Sequence, residues 1–161
     1  IILNNARVCV VAFVSGLLGG VLPLVVLFAN GIHLGSVFGY ASRLGTADTL
    51  GRFVLAHGPV ELSAICVAGA AGLCLGRALL APRRRTRLEA LREEAAIGFR
   101  LLLAALFAIL VIGTVEGFVS PGSYLPWYGN LTVGLGMFAL FFAWVRFLGA
   151  PAAAERRVAR F

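Results

Sequence analysis

The chain has 161 residues, of which 60% are hydrophobic and only 13% charged, and this excludes a soluble domain of the same length, which needs more polar surface. It reads as a polytopic membrane protein. The net charge of +7 comes from 14 arginines against seven acids, and the arginines lie between apolar stretches and after the last one, so membrane topology accounts for them and nucleic-acid binding is not expected.

In chain order, residues 7–20 form a first apolar helix that ends in the breaker-rich run GLLGGVLP, with a stop or bend at Gly19, Gly20 and Pro23. Residues 22–44 form a second span. One unbroken helix over 7–44 would be about 57 Å long, nearly twice a hydrocarbon core, so a helical hairpin or a strong kink is expected near Gly20 and Pro23. A break at Asn30 and Gly31 is the alternative. Residues 45–56 read as a loop with a short interfacial helix, and Pro59, at a favourable first-turn position, opens a third span that runs to Leu80 and ends at Pro82. The charged segment RRRTRLEALREEAAIGFR follows, and Thr86 with Glu89 fits the capping box that starts a helix. That helix leads into, or is continuous with, a fourth span over 98–118. Pro121, Gly122 and Pro126 make a turn, and a fifth span covers 127–147 with Trp127, Tyr128 and Trp144 as interfacial anchors. The fold class is therefore all-α: one transmembrane bundle of about five helices over 1–149, followed by a polar tail over 150–161. The chain opens on Ile1 and shows no signal-peptide layout, so an N-terminal part of the full protein is expected to be missing.

Seven arginines and three glutamates lie between residues 77 and 100, and four arginines and one glutamate between 146 and 160, whereas 119–129 carries no charge. Residues 83–100 and the tail are accordingly expected in the cytoplasm, and the Pro-rich turn outside. Counting backwards places the loop 45–56 outside and the break near Gly20 inside.

Two ionisable residues stand at the opening of the third span, HGPVELSAICVAGAAGLCLG. At about 100° per residue, Glu61 shares a face with Ala68, Gly72 and Gly76, and small residues at four-residue spacing let helix backbones approach closely, so Glu61 faces protein. His57 joins that face only if the helix continues through Pro59. Gly31, Gly35 and Gly39 make a second expected packing seam, while Asn30 and His33 lie on another side of their helix. Glu116 sits one turn from the outer end of the fourth span. A carboxylate inside a membrane costs about 2.5–3.5 kcal/mol on insertion scales, which marks His57, Glu61, Glu116, Asn30 and His33 as a candidate functional polar cluster in the outer half of the bundle. The plainer roles are a first-turn partner of the helix dipole for Glu61 and inter-helix hydrogen bonds for Asn30 and His33.

Other chemistry finds little support. No H-E-x-x-H or Cys/His metal spacing is present, and no nucleophile elbow, P-loop or dinucleotide fingerprint, so neither a metal, a cofactor nor an enzymatic activity is expected. Cys66 and Cys74, eight residues apart on one helix, are separated by about 12 Å, beyond disulfide reach.

The blocks NNARV with Ala12, Phe13 and Gly16, then Asn30-Gly31 with Gly35, HGPVELSAI with AGAAGLCLG, Leu80-Ala81-Pro82 and VEGFVSP, in this order and spacing, resemble the stage II sporulation protein M family. The resemblance implies a multi-pass bacterial cell-membrane protein without known enzymatic activity. The family's namesake acts during engulfment with two partners that cut peptidoglycan and helps to hold that machinery at the septal membrane. The resulting expectation is a membrane scaffold or regulatory subunit for envelope remodelling, whose partners are the lipid bilayer and other envelope proteins; its oligomeric state is left open. A transporter or channel is the alternative, since broken helices and buried carboxylates also bind substrates.

Overall fold

The computed structural model of the chain describes residues 2–118 and 126–158. Six α-helices are found among them: α1 (Ile2–Val14), α2 (Leu22–Arg43), α3 (Ala47–Leu55), α4 (Gly58–Leu80), α5 (Arg87–Phe118) and α6 (Trp127–Val158), with no strand among the described residues. Helices α2, α4, α5 and α6 are long and apolar enough to cross a membrane, and α1 with the 3-10 turn Ser15–Leu18 makes a shorter apolar helix.

The α1–α2 connection is a hairpin. Gly19 and Gly20 take φ of 106° and 78°, a left-handed pair open to glycine without steric cost, and Pro23 sits in the first turn of α2. Helix α2 then runs unbroken through Asn30 and Gly31, about 33 Å along its axis, and packs back against α1. Residues 47–55 form the short α3, pinned by an exposed Arg52–Asp48 pair at 2.8 Å that adds only a few tenths of a kcal/mol.

Helix α4 is the centre of the bundle. Half of its spanning window is buried, against 6% for α2, and α1, α2, α5 and α6 all touch it. The burial follows from its sequence: Ala64, Ala68, Gly69, Ala71, Gly72, Gly76 and Ala78 present little beyond backbone, so neighbouring helices come close. Asn5 lies by Glu61, Phe13 by Gly72 and Gly20 by Gly76, so α1 and α4 run parallel. Gly98 lies beside Phe13 and Ala71, and Gly113 beside Ile2, so α5 runs antiparallel to both. Ile109 and Ile112 of α5 fill the remaining space with Val60, Ile65 and Leu75.

The segment before the fourth span and the span itself are one 32-residue helix, α5. It starts with the capping box: the Thr86 backbone N–H donates to Glu89 Oε2 at 2.9 Å and the Glu89 N–H to Thr86 Oγ1 at 3.3 Å. Replacing Thr86→Ala should cost about 1 kcal/mol and speed amide exchange in the first turn of α5, as measured by hydrogen–deuterium exchange in detergent. Unchanged protection there would show that packing, not the cap, fixes the helix start. Helix α6 continues through Pro151 to Val158. One proline removes one backbone bond, and the following Ala-Ala-Ala-Glu-Arg-Arg run consists of strong helix formers that carry the helix on. The expected outer turn at Pro121 and Gly122 lies outside the described residues.

Candidate functional site

The start of α4 brings polar groups together where α1 and α5 meet it. Glu61 is in the first turn, and its N–H is already bound by the His57 carbonyl at 3.2 Å, so the helix start does not depend on the side chain. That side chain turns into the bundle and is 7% exposed. The Asn5 side chain of α1 lies beside the Glu61 carboxyl group, and Glu116 of α5 lies close enough for its charge to act on Glu61. Asn5 and Glu116 are each 8% exposed. Glu61 Oε1 is buried without a hydrogen-bond partner among the described residues, and so is Asn130 Oδ1 in the first turn of α6. Three buried polar side chains from three helices thus lie near one another at this end of the bundle.

His57 stands just before α4, buried, with its ring edge-on to Phe53 of α3 at a centroid distance of 5.1 Å. Burial pushes its imidazole below the usual histidine pKa, which favours the neutral ring. Its carbonyl accepts from both Val60 and Glu61, so His57 supports the start of α4 through its backbone.

Asn30 and His33 do not join this group. Asn30 is half-buried and His33 exposed on α2, and no hydrogen bond among the described residues links either to Glu61. The glycine pattern of α2 also departs from the expected seam. Gly31, Gly35 and Gly39 have nothing within 4 Å of an added Cβ, because α2 contacts α4 through Leu27, which packs on Gly69, and turns its glycine face away from the chain. Gly35→Leu should therefore leave the melting temperature unchanged or raise it, since leucine is the better helix former and meets open space. A clear loss of stability in detergent would place an unseen contact on that face.

The glycines of α4 behave differently. An added Cβ on Gly72 would collide with the Ala12 carbonyl and lie 2.9 Å from the Phe13 carbonyl oxygen; on Gly76 it would collide with Gly20 and lie 3.0 Å from the Gly16 carbonyl oxygen. Gly16 answers from the other side, where a Cβ would overlap the Gly72 carbonyl.

Asn5 is not among the candidate residues read from the sequence. Its signal is positional: Asn5, Cys9, Ala12, Phe13 and Gly16 fall on one face of α1 and its 3-10 extension, and all are buried. Asn130 had no such signal, since Asn130-Leu131-Thr132 reads first as a glycosylation sequon.

The model of the family described as stage II sporulation protein M matches residues 1–121, three quarters of the chain. The chain belongs to the stage II sporulation protein M family. No curated protein and no solved structure matches it. The part matched to stage II sporulation protein M holds α1 to α5, and with them Asn5, Glu61 and Glu116, whereas α6 and Asn130 lie beyond it.

Proposed function

We propose that this protein is a non-enzymatic scaffold or regulatory subunit of the bacterial cell membrane, holding peptidoglycan-remodelling partners in place. The observation that carries the reading is the closed centre of the bundle. Glu61 Oε1 is sealed from solvent, and the helices around it meet at backbone distance through Gly16, Gly72 and Gly76. A rigid centre of this kind suits a protein whose outer surface does the work, and the stage II sporulation protein M family supports the envelope setting. The arginines of residues 83–100 place that segment in the cytoplasm under the same reading. Cysteine labelling from outside the cell tests it: Arg85→Cys should stay unlabelled in intact cells, and strong labelling would reverse the orientation.

One specific observation favours a second reading, transport of a cation. Two carboxyl groups, Glu61 and Glu116, lie together in the membrane, and one of their oxygens has no partner among the described residues. Complementation of a deletion strain separates the two. A scaffold should work with Glu61→Gln and fail when bulk is added to the outward glycine face at Gly35→Leu. A cation transporter should show the reverse, and cation uptake into proteoliposomes that Glu61→Gln removes would overturn the scaffold reading.

A further inference from the structure

The turn between α4 and α5 gathers positive charge at one end of the bundle, and the carboxylates there are already engaged. Glu94 is buried and pairs with Arg77 of α4 at 3.4 Å, Glu93 pairs with Arg85, and Glu89 closes the capping box with Thr86. Arg92 lies within electrostatic range of Glu89. Arg83, Arg84 and Arg87 remain, all exposed and with no ion pair among the described residues. Arg83 moreover holds φ at 59°, a left-handed conformation that is strained for a non-glycine residue. A glycine would reverse the chain here without strain, so the arginine occupies the position at a local cost.

The surroundings identify what three unpaired guanidinium groups meet. Leu80, where the apolar span of α4 ends, and Leu88, in the first turn of α5, flank them in sequence and are 68% and 57% exposed. Guanidinium forks with apolar neighbours at the end of a span match the phosphate and upper acyl region of a phospholipid; a nucleic acid would leave both leucines facing water. Glu89 is the one carboxylate at the same helix start, and its oxygen is turned to the Thr86 N–H.

We propose that Arg83, Arg84 and Arg87 form a binding site for the phosphate headgroup of an anionic phospholipid, which fastens the α4–α5 turn to the membrane surface. The site is separate from the polar pocket at the start of α4 and does not depend on the scaffold reading.

Native mass spectrometry of the detergent-purified protein, titrated with phosphatidylglycerol or phosphatidylcholine of the same acyl chains, tests it. The parent protein should retain phosphatidylglycerol at least about fivefold more strongly for each of the three arginines that engages the headgroup, the factor that about 1 kcal/mol per interfacial arginine implies. Arg83→Gly should weaken that preference several-fold while raising the melting temperature, because glycine suits the backbone angle; this separates lost binding from lost folding. Arg84→Gln with Arg87→Gln should weaken it further, and Arg43→Gln at the opposite end should not. Equal retention of the two lipids, or an Arg83→Gly variant that binds like the parent, would overturn the site. So would displacement of the lipid by millimolar inorganic phosphate, which would indicate a free-anion site, or binding of a short DNA duplex with no lipid preference.

Discussion

Gly72→Leu should destabilise the bundle by about 3 kcal/mol, the upper end of what overpacking a core costs, and lower its melting temperature in detergent well below that of Ala70→Leu. Residue 72 has no flexible neighbour to give way. The atoms that an added Cβ would meet are the Ala12 and Phe13 carbonyls and Phe13 Cα, all backbone of α1. Relief requires the whole of α1 to move off α4, and that movement would also open the reciprocal contact at Gly16 and pull Asn5 away from Glu61. Ala70, two residues earlier, is exposed and should accept a leucine at little cost. Equal melting of the two variants would show that α1 is not seated on α4 through this contact.

The helices were legible because their signals are local. Gly19-Gly20 before Pro23, Pro59 at a helix start, Pro82 at an end and the Thr86–Glu89 box all act within a few residues, and the helix bounds follow them. What the residues did not decide was which of two similar stripes meets a neighbour. Gly31, Gly35 and Gly39 have the same four-residue spacing as Ala68, Gly72 and Gly76, yet only the second stripe is covered. The spacing states that a backbone can be approached closely; which helix approaches is set by the hairpin, which lays α1 on α4 and leaves α2 touching through Leu27. The same ambiguity separates the polar residues. His33 and Glu61 are both ionisable side chains in apolar spans, and α4 turns Glu61 inward while α2 leaves His33 on its outer side. Charge offered no help, because the α1 side chain set beside Glu61 is the neutral Asn5.

That partnership predicts a strong coupling between Asn5 and Glu61. Asn5→Leu is nearly isosteric, so it should leave the packing of α1 on α4 in place while removing the amide that lies beside the carboxyl group. A buried polar group stripped of its partner costs about 1–3 kcal/mol, and more when charged, so the variant should lose about 3 kcal/mol. Glu61→Leu alone leaves Asn5 without that acceptor and should also destabilise, though less, because the lost partner is neutral. With both replaced, neither is left stranded by the loss of the other, although Glu116 remains nearby, and most of the loss should be recovered. Thermal or denaturant unfolding of the four proteins closes the cycle, and an interaction of at least about 1 kcal/mol is expected for side chains in contact. Strict additivity would mean that the two groups are not partners in the folded protein. Glu116→Gln resolves what remains. If its charge bears on Glu61 across the same pocket, removing it should raise the stability of the parent and ease the penalty of Asn5→Leu, since two carboxyl groups then no longer share the space that the lost amide leaves behind.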